Sequence, residues 1–190
     1  MLSGSYNSAC AAKDMVLENQ PDKKIAVIDS RSTGPEMVLL VKKICEIIES
    51  GADFDTVVSK AELYSNHTHI VFALSSFNNL VKNGRMSKIV GFVANKLGFW
   101  GIGIGSKQGT IEIKQKIRGS KKALDAIIDD MKERGYNCGK VVISHCRNAE
   151  FAESVKSAIQ SVWDKAEVKI VHARGLCSYY AEKGGLIIGF

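Results

Sequence analysis

Trp100-Gly101-Ile102-Gly103-Ile104-Gly105, the turn Ser106-Lys107-Gln108-Gly109, the run Thr110 to Arg118 and the following Ser120 to Arg134 decide the fold. The two strand-like runs are separated by four loop-forming residues, which predicts an antiparallel hairpin. Behind it the period changes: Leu124, Ile127, Ile128 and Met131 recur at helical spacing, with Ser120 available as a cap and Gly135 as a stop. A hairpin followed by a helix with one apolar face implies a helical layer on a sheet that contains antiparallel strands.

Working toward the C-terminus, Lys140–Ser144 reads as a strand, Asn148–Trp163 as a helix, and Glu167–His172 and Leu186–Phe190 as strands. Toward the N-terminus, Thr68–Leu74 reads as a strand and Phe54–Leu63 as a helix. Asn79–Gly84 leads into a second helix that Ser87 caps and that runs through Leu97 to Gly98. Ser8–Asn19 carries a helical stripe of Ala9, Ala12, Met15 and Val16, and Lys24–Asp29 reads as a buried parallel strand. The loop Asp29–Gly34 enters a helix from Pro35 to Ser50, with Pro in its first turn and Gly51 beyond its end. The expected class is α/β in two parts: a Rossmann-like α/β remainder over 1–66, and an α/β sandwich with a mixed, partly antiparallel sheet over 67–190.

Of the 190 residues, 45% are hydrophobic and only two are proline, which excludes a disordered or collagen-like chain. The net charge of +6 is not evenly spread. Between Lys82 and Lys122 ten basic residues face one acid, Glu112, so this segment exceeds the charge of the whole chain and the remainder is net acidic. A local basic surface suits an anionic ligand or an acidic partner. It lacks the interleaved aromatics of a nucleic-acid platform, so nucleic acid is not expected as a partner. The five cysteines (Cys10, Cys45, Cys138, Cys146, Cys177) are odd in number with no CxxC pair, which reads as reduced thiols. No run reaches the roughly 18 apolar residues of a membrane span, and no signal peptide is recognisable, so a cytoplasmic protein without stable membrane insertion is expected.

Several motifs compete as sites. Gly101-Ile102-Gly103-Ile104-Gly105 lacks the G-x-G-x-x-G spacing and the following helix of a dinucleotide loop. Glycines at every second position leave one strand face bare, open to a backbone, an apolar chain or a ligand. His67 and His69 share a strand face without a third ligand, and adjacent His145 and Cys146 point to opposite faces, so neither metal nor nucleophilic chemistry is expected. Ser3-Gly4-Ser5 and Asp29-Ser30-Arg31-Ser32 are hydroxyl-rich loops suited first to ordinary helix capping, by Ser3 or Ser5 and by Thr33, and otherwise to ligand contact. Lys82-Asn83-Gly84-Arg85-Met86-Ser87 sets an arginine fork on a tight turn before a helix start. That is either an anion site or a plain joint with a solvated arginine. The apolar residues Ile89, Val90, Phe92, Val93, Leu97, Phe99 and Trp100 follow at once; by default they are core, and as a pocket wall beside an arginine they suit an anionic head on a long apolar tail.

Four segments resemble one family. Leu2-Ser3-Gly4-Ser5-Tyr6-Asn7-Ser8-Ala9 is similar to the L-S-G-T-Y-x-S-A stretch of DegV proteins, and Val27-Ile28-Asp29-Ser30 to their V-x-D-S strand end. Phe72 to Ser87 resembles their F-x-L…G-R-(I/M)-S motif, and Lys116-Ile117-Arg118-Gly119 with Lys121-Lys122-Ala123 their K-x-R-(G/T)-x-K-K-A segment. The resemblance implies a two-domain α/β fold related to the dihydroxyacetone kinase substrate domain. It also implies a non-enzymatic carrier that buries a long-chain fatty acid, with no other cofactor and no metal, and presents the carboxylate to a separate fatty acid kinase. An alternative by the same kinship is a substrate-binding subunit of a dihydroxyacetone-kinase-like phosphotransfer system, but no histidine here occupies the family's histidine position.

By that resemblance Ser3, Gly4, Arg85 and Tyr180 hold the head group, and Phe72, Leu74, Ile89, Phe92, Val93, Leu97 and Ile102 line the acyl-chain pocket. Lys116 and Arg118 face the kinase. Tyr180 stands where the family has the histidine of H-x-G-P-G. Some 80 family residues that precede the L-S-G motif have no counterpart, so the first domain is expected to be incomplete.

Overall fold

The computed structural model describes residues 3–86 and 98–190. Helix α1 (Ser5–Asn19) is followed by an irregular stretch to residue 33, then α2 (Gly34–Glu49), α3 (Phe54–Ser65), β1 (Ile70–Leu74) and α4 (Asn78–Lys82). Beyond residue 97 come β2 (Phe99–Gly105), β3 (Ile111–Arg118), α5 (Ser120–Glu133), β4 (Lys140–His145), α6 (Ala149–Val162), β5 (Glu167–His172), α7 (Gly175–Ala181) and β6 (Leu186–Gly189). The described strands form one sheet of order β3-β2-β1-β6-β4-β5, in which only β4 and β5 run parallel.

The central strands, Ile70-Val71-Phe72-Ala73-Leu74 and Leu186-Ile187-Ile188-Gly189, are apolar at every position because both their faces are covered. Alternation sorts the side chains. Val71, Ala73, Ile102, Ile104, Val141, Ile143, Leu186 and Ile188 pack against Ala126, Ile127 and Met131 of α5 and Phe151, Val155 and Ile159 of α6. On the opposite face Ile70, Phe72, Leu74 and Ile187 gather with Phe77, Leu80 and Ala181. That second face also receives α2 near β4 and β6: a Cβ on Gly189 would stand 2.5 Å from Glu36 N, so this helix lies directly on the strand backbone. Residue 66, the expected boundary, lies in the link between α3 and β1, and α2 on its N-terminal side packs on the sheet.

A bulge in β3 opposite Ile102/Gly103 leaves Lys114 as the extra residue. It turns toward α5, where its ammonium meets Asp130 at 3.1 Å and Glu133 at 2.6 Å, while Arg134 reaches Asp130 at 2.9 Å. The ion pair offsets the burial of Asp130, whose side chain is 4% exposed.

Several expectations need correction. Lys24–Asp29 forms no strand: its backbone pairs with no strand among the described residues, so its apolar run lacks the ladder that would make it one. Ser120 is not a cap but the first helical residue; Gly119, at φ 93°, holds the cap position. Neither Ser5 nor Thr33 makes a side-chain cap bond: Gly4 and Thr33 occupy the cap positions of α1 and α2, and Thr33 Oγ1 instead lies 3.5 Å from Cys177 Sγ. Ser3 Oγ accepts from Ser5 N at 3.2 Å, a local turn bond at the start of α1. α7 had no counterpart in the reading of the sequence. The helix expected over Ser87–Leu97 lies outside the described residues.

Candidate functional site

Helix α4 ends in a Schellman turn. Gly84, at φ 67°, is the left-handed residue; its N–H donates to Val81 O at 3.1 Å, and Arg85 N donates to Leu80 O at 2.9 Å. This geometry requires glycine at 84 and throws Arg85 out of the helix, which is why the Asn-Gly-Arg order projects the guanidinium. One arm of the fork, Nη1, donates to Asn83 O at 2.7 Å, and the remaining N–H groups have no acceptor among the described residues. The next residue, Met86, turns back onto the apolar cluster of Phe72, Leu74, Phe77 and Leu80.

α7 borders the same cluster. Cys177, Tyr180 and Ala181 pack on it, and Cys146 joins them from the end of β4, with its Sγ 3.8 Å from Ser178 O. Tyr180 is half-buried and stacks edge-on against Tyr179, with ring centroids 5.2 Å apart. Helices α4 and α7 are tied together: Asn79 N donates to Glu182 Oε1 at 3.0 Å, Asn79 Nδ2 to Tyr179 O at 2.8 Å, and Asn83 Nδ2 to Tyr179 OH at 3.0 Å. The structure thus brings Arg85, Tyr180, Phe72 and Leu74 to one region, an apolar floor with a cationic fork and a phenol at its border.

Ile102 does not belong there. It points to the opposite sheet face, among Ile127 and Val155, because odd and even positions of β2 face opposite ways. The bare glycine face is also filled from within: a Cβ on Gly103 would lie 2.5 Å from Phe72 Cζ, and one on Gly105 would lie 2.6 Å from Ile70 Cγ2. Of the three readings of this stripe, close approach of the protein's own apolar chains holds at these two glycines. Ile111 and Ile113 extend the floor from β3. Ile89, Phe92, Val93 and Leu97 lie outside the described residues.

Gly4, the N-cap of α1, and Ser3 before it are exposed, with Ser3 Oγ 2.8 Å from Ser5 Oγ; no bond links them to Arg85 or Tyr180 among the described residues. Lys116, paired with Gly101, and Arg118, paired with Phe99, stand on the edge strand β3 on the same sheet face as Ile113; the Arg118 guanidinium lies 5.8 Å from the Phe99 ring centroid. Arg31, left-handed at φ 48°, bridges to Lys107 O at 3.2 Å and Asn66 Oδ1 at 2.8 Å, and so ties the loop before α2 to the tip of the β2–β3 hairpin. Glu36 lies buried behind that loop. Burial pushes its carboxyl above the usual range, opposed by hydrogen bonds from Ser32 and Thr68.

The sequence places Asn83 in the Arg85 turn without assigning it a role, and gives none to Asn79, Tyr179 or Glu182. The i,i+4 spacing of the two asparagines was the available signal, since it places both amides on one side of a helix. Two clefts lie elsewhere: about 420 Å³ among Leu39, Lys42, Lys140, Lys156 and Lys169, and about 450 Å³ between α5 and α6. Among the described residues no helix is long and apolar enough to cross a membrane, and no three His, Cys, Asp or Glu side chains group to hold a metal ion. The His145 and His172 rings lie 4.5 Å apart, tilted by 51°, with no third such side chain grouped with them among the described residues.

The fold and site define a class: a mixed α/β protein with an apolar cluster on one sheet face, bordered by an arginine-bearing turn and a tyrosine-bearing helix. The chain belongs to the DegV family, whose model, "Uncharacterised protein, DegV family", matches residues 1–190. It is 43% identical over 189 residues to a DegV domain-containing protein of Streptococcus pneumoniae, the match covering all of this chain and 67% of that protein. Among solved structures it is similar to the Streptococcus pneumoniae Fatty Acid Kinase (Fak) B3 protein loaded with linoleic acid, at TM-score 0.95 and 43% identity, over 100% of this chain and 67% of that one. A DegV family protein from Eubacterium eligens loaded with heptadecanoic acid superposes at TM-score 0.94 and 39% identity, over 99% and 68% of the two chains.

Proposed function

We propose that the protein binds a long-chain fatty acid, with the acyl tail against the Phe72–Leu74 face and the carboxylate at Arg85. The observation that carries this reading is the Arg85 fork, with donors to spare, adjoining an apolar cluster in a chain about 40% identical to fatty-acid-loaded relatives. Phe72, Leu74, Met86, Ile111 and Ile113 supply the apolar wall, while Tyr180, Ser3 and Gly4 complete the head-group set. Each buried methylene contributes about 0.8 kcal/mol, so ten give roughly 8 kcal/mol before ordering costs, and the tail dominates affinity. The arginine sets direction instead: a carboxylate leaving water needs a paired donor, so the head stays at Arg85 while the tail enters the apolar region.

The carboxylate end then faces outward beside Lys116 and Arg118, where an acidic surface of a separate fatty acid kinase would dock and phosphorylate it. In this reading the chain carries the substrate and performs no chemistry on it. Native mass spectrometry of the purified protein should show a bound fatty acid or its uptake from oleate. Arg85→Ala should weaken oleate binding about tenfold to a hundredfold, the range for a hydrogen bond to a charged group. A clean unliganded spectrum with no uptake of oleate or palmitate would overturn the reading.

A further inference from the structure

Arg85 is held by one residue that is in turn held by another helix. We infer that Asn83 is a positioning residue for the Arg85 guanidinium, with the Tyr179 hydroxyl as its anchor; the inference rests on the fatty-acid reading above. Asn83 sits at the C-cap of α4, at φ −97° and ψ 11°, where its carbonyl faces out of the helix and accepts from Arg85 Nη1 at 2.7 Å. Its side chain fixes that peptide from the other side. Nδ2 donates to Asn79 O at 2.8 Å and to Tyr179 OH at 3.0 Å, using both amide hydrogens. Asn79 closes the ring by donating its own amide to Tyr179 O at 2.8 Å.

The consequence is directional. An exposed arginine samples many rotamers, and ordering it on a ligand carries an entropic penalty of up to about 2 kcal/mol. Here the penalty is met in advance, because the Nη1 bond to Asn83 O presents the other N–H groups together. Tyr179 performs this anchoring while Tyr180, its neighbour, turns to the apolar cluster, so the two adjacent tyrosines have separate tasks. Tyr179 is 46% exposed and contributes little to the core, which leaves its hydroxyl as the part that matters.

The test is displacement of a fluorescent fatty acid by oleate and, separately, by oleyl alcohol, using the full 190-residue chain. Asn83→Ala and Tyr179→Phe should each weaken oleate about three- to tenfold, one lost hydrogen bond, and leave oleyl alcohol unchanged. In an Arg85→Ala background both substitutions should have no further effect on oleate. Should Asn83→Ala unfold the turn, Tyr179→Phe removes only a hydroxyl and still decides the matter. Equal losses for acid and alcohol, or additive losses on top of Arg85→Ala, would overturn the positioning role while leaving the fatty-acid reading intact. No binding of either ligand by the unaltered chain would overturn both.

Discussion

Replacing Gly103 with alanine adds one methyl group where the sheet has no room for it. The new Cβ would meet Phe72 Cζ at 2.5 Å and Glu112 O at 2.6 Å, both well inside contact distance. The carbonyl belongs to the paired strand β3, so the ladder must distort there as well as the ring give way. Phe72 is 6% exposed, with the Phe77 ring 6.4 Å away at an edge-on angle, and its displacement spreads through the floor of the site. Overpacking of this kind costs about 1–3 kcal/mol. For a chain of this length that lowers Tm by about 3–10 °C, and the urea midpoint should fall without a change in slope. Phe72→Leu in the same chain removes the offending ring atoms, so the double variant should be more stable than the two single effects summed, by about 0.5–3 kcal/mol. A Gly103→Ala protein that melts with the native one, or a double variant that is simply additive, would refute the account of the glycine face.

Two further substitutions probe other parts. Asp130→Ala leaves Lys114 and Arg134 without their buried counter-charge and should destabilise by about 3 kcal/mol, at the lower end for a broken buried pair because both cations keep some water; urea denaturation measures it, and a loss under 1 kcal/mol would show the pair to be idle. His145, 4% exposed, accepts from Asn148 N at 3.1 Å through Nδ1, and burial, aided by neighbouring His172, holds its pKa below the ordinary 6.5. The unfolded chain therefore takes up the proton first, so stability should fall as pH drops from 6.5 through the lower folded value. Urea midpoints at pH 7.5 and 5.5 should differ less in His145→Gln, and equal differences would contradict this.

Where hydrophobic period and turn chemistry act locally, the sequence is transparent. The β2–β3 hairpin, α5 and α6 lie within a residue or two of their expected bounds, and β5 matches at both ends. The opposite faces expected for His145 and Cys146 hold as well, one toward Asn148 and α6, the other in the apolar cluster. Local signals fail where partners decide. Val27 and Ile28 have a strand's composition but no strand to pair with among the described residues, and α7 is a seven-residue helix whose apolar residues mean little until they meet the sheet. The Arg85 turn was legible as Asn-Gly-Arg. Its anchor was not, because Tyr179 lies 96 residues away from Asn83 and nothing in either segment announces the other. Ile102 was misassigned for a related reason: strand parity is visible in a sequence, but which face is which depends on where the helices land.

The strand order has a consequence for synthesis. β6 is the last of the described strands in chain order and lies between β1 and β4 at the middle of the sheet. Until it emerges from the ribosome, β1–β2–β3 and β4–β5 share no ladder, each presents an unpaired apolar strand edge to the gap, and they are joined through packing such as that of α5 on α6. The nascent protein thus carries two aggregation-prone edges for as long as it takes to make the whole segment, and closure happens once, when residues 186–189 slot in and satisfy both edges together.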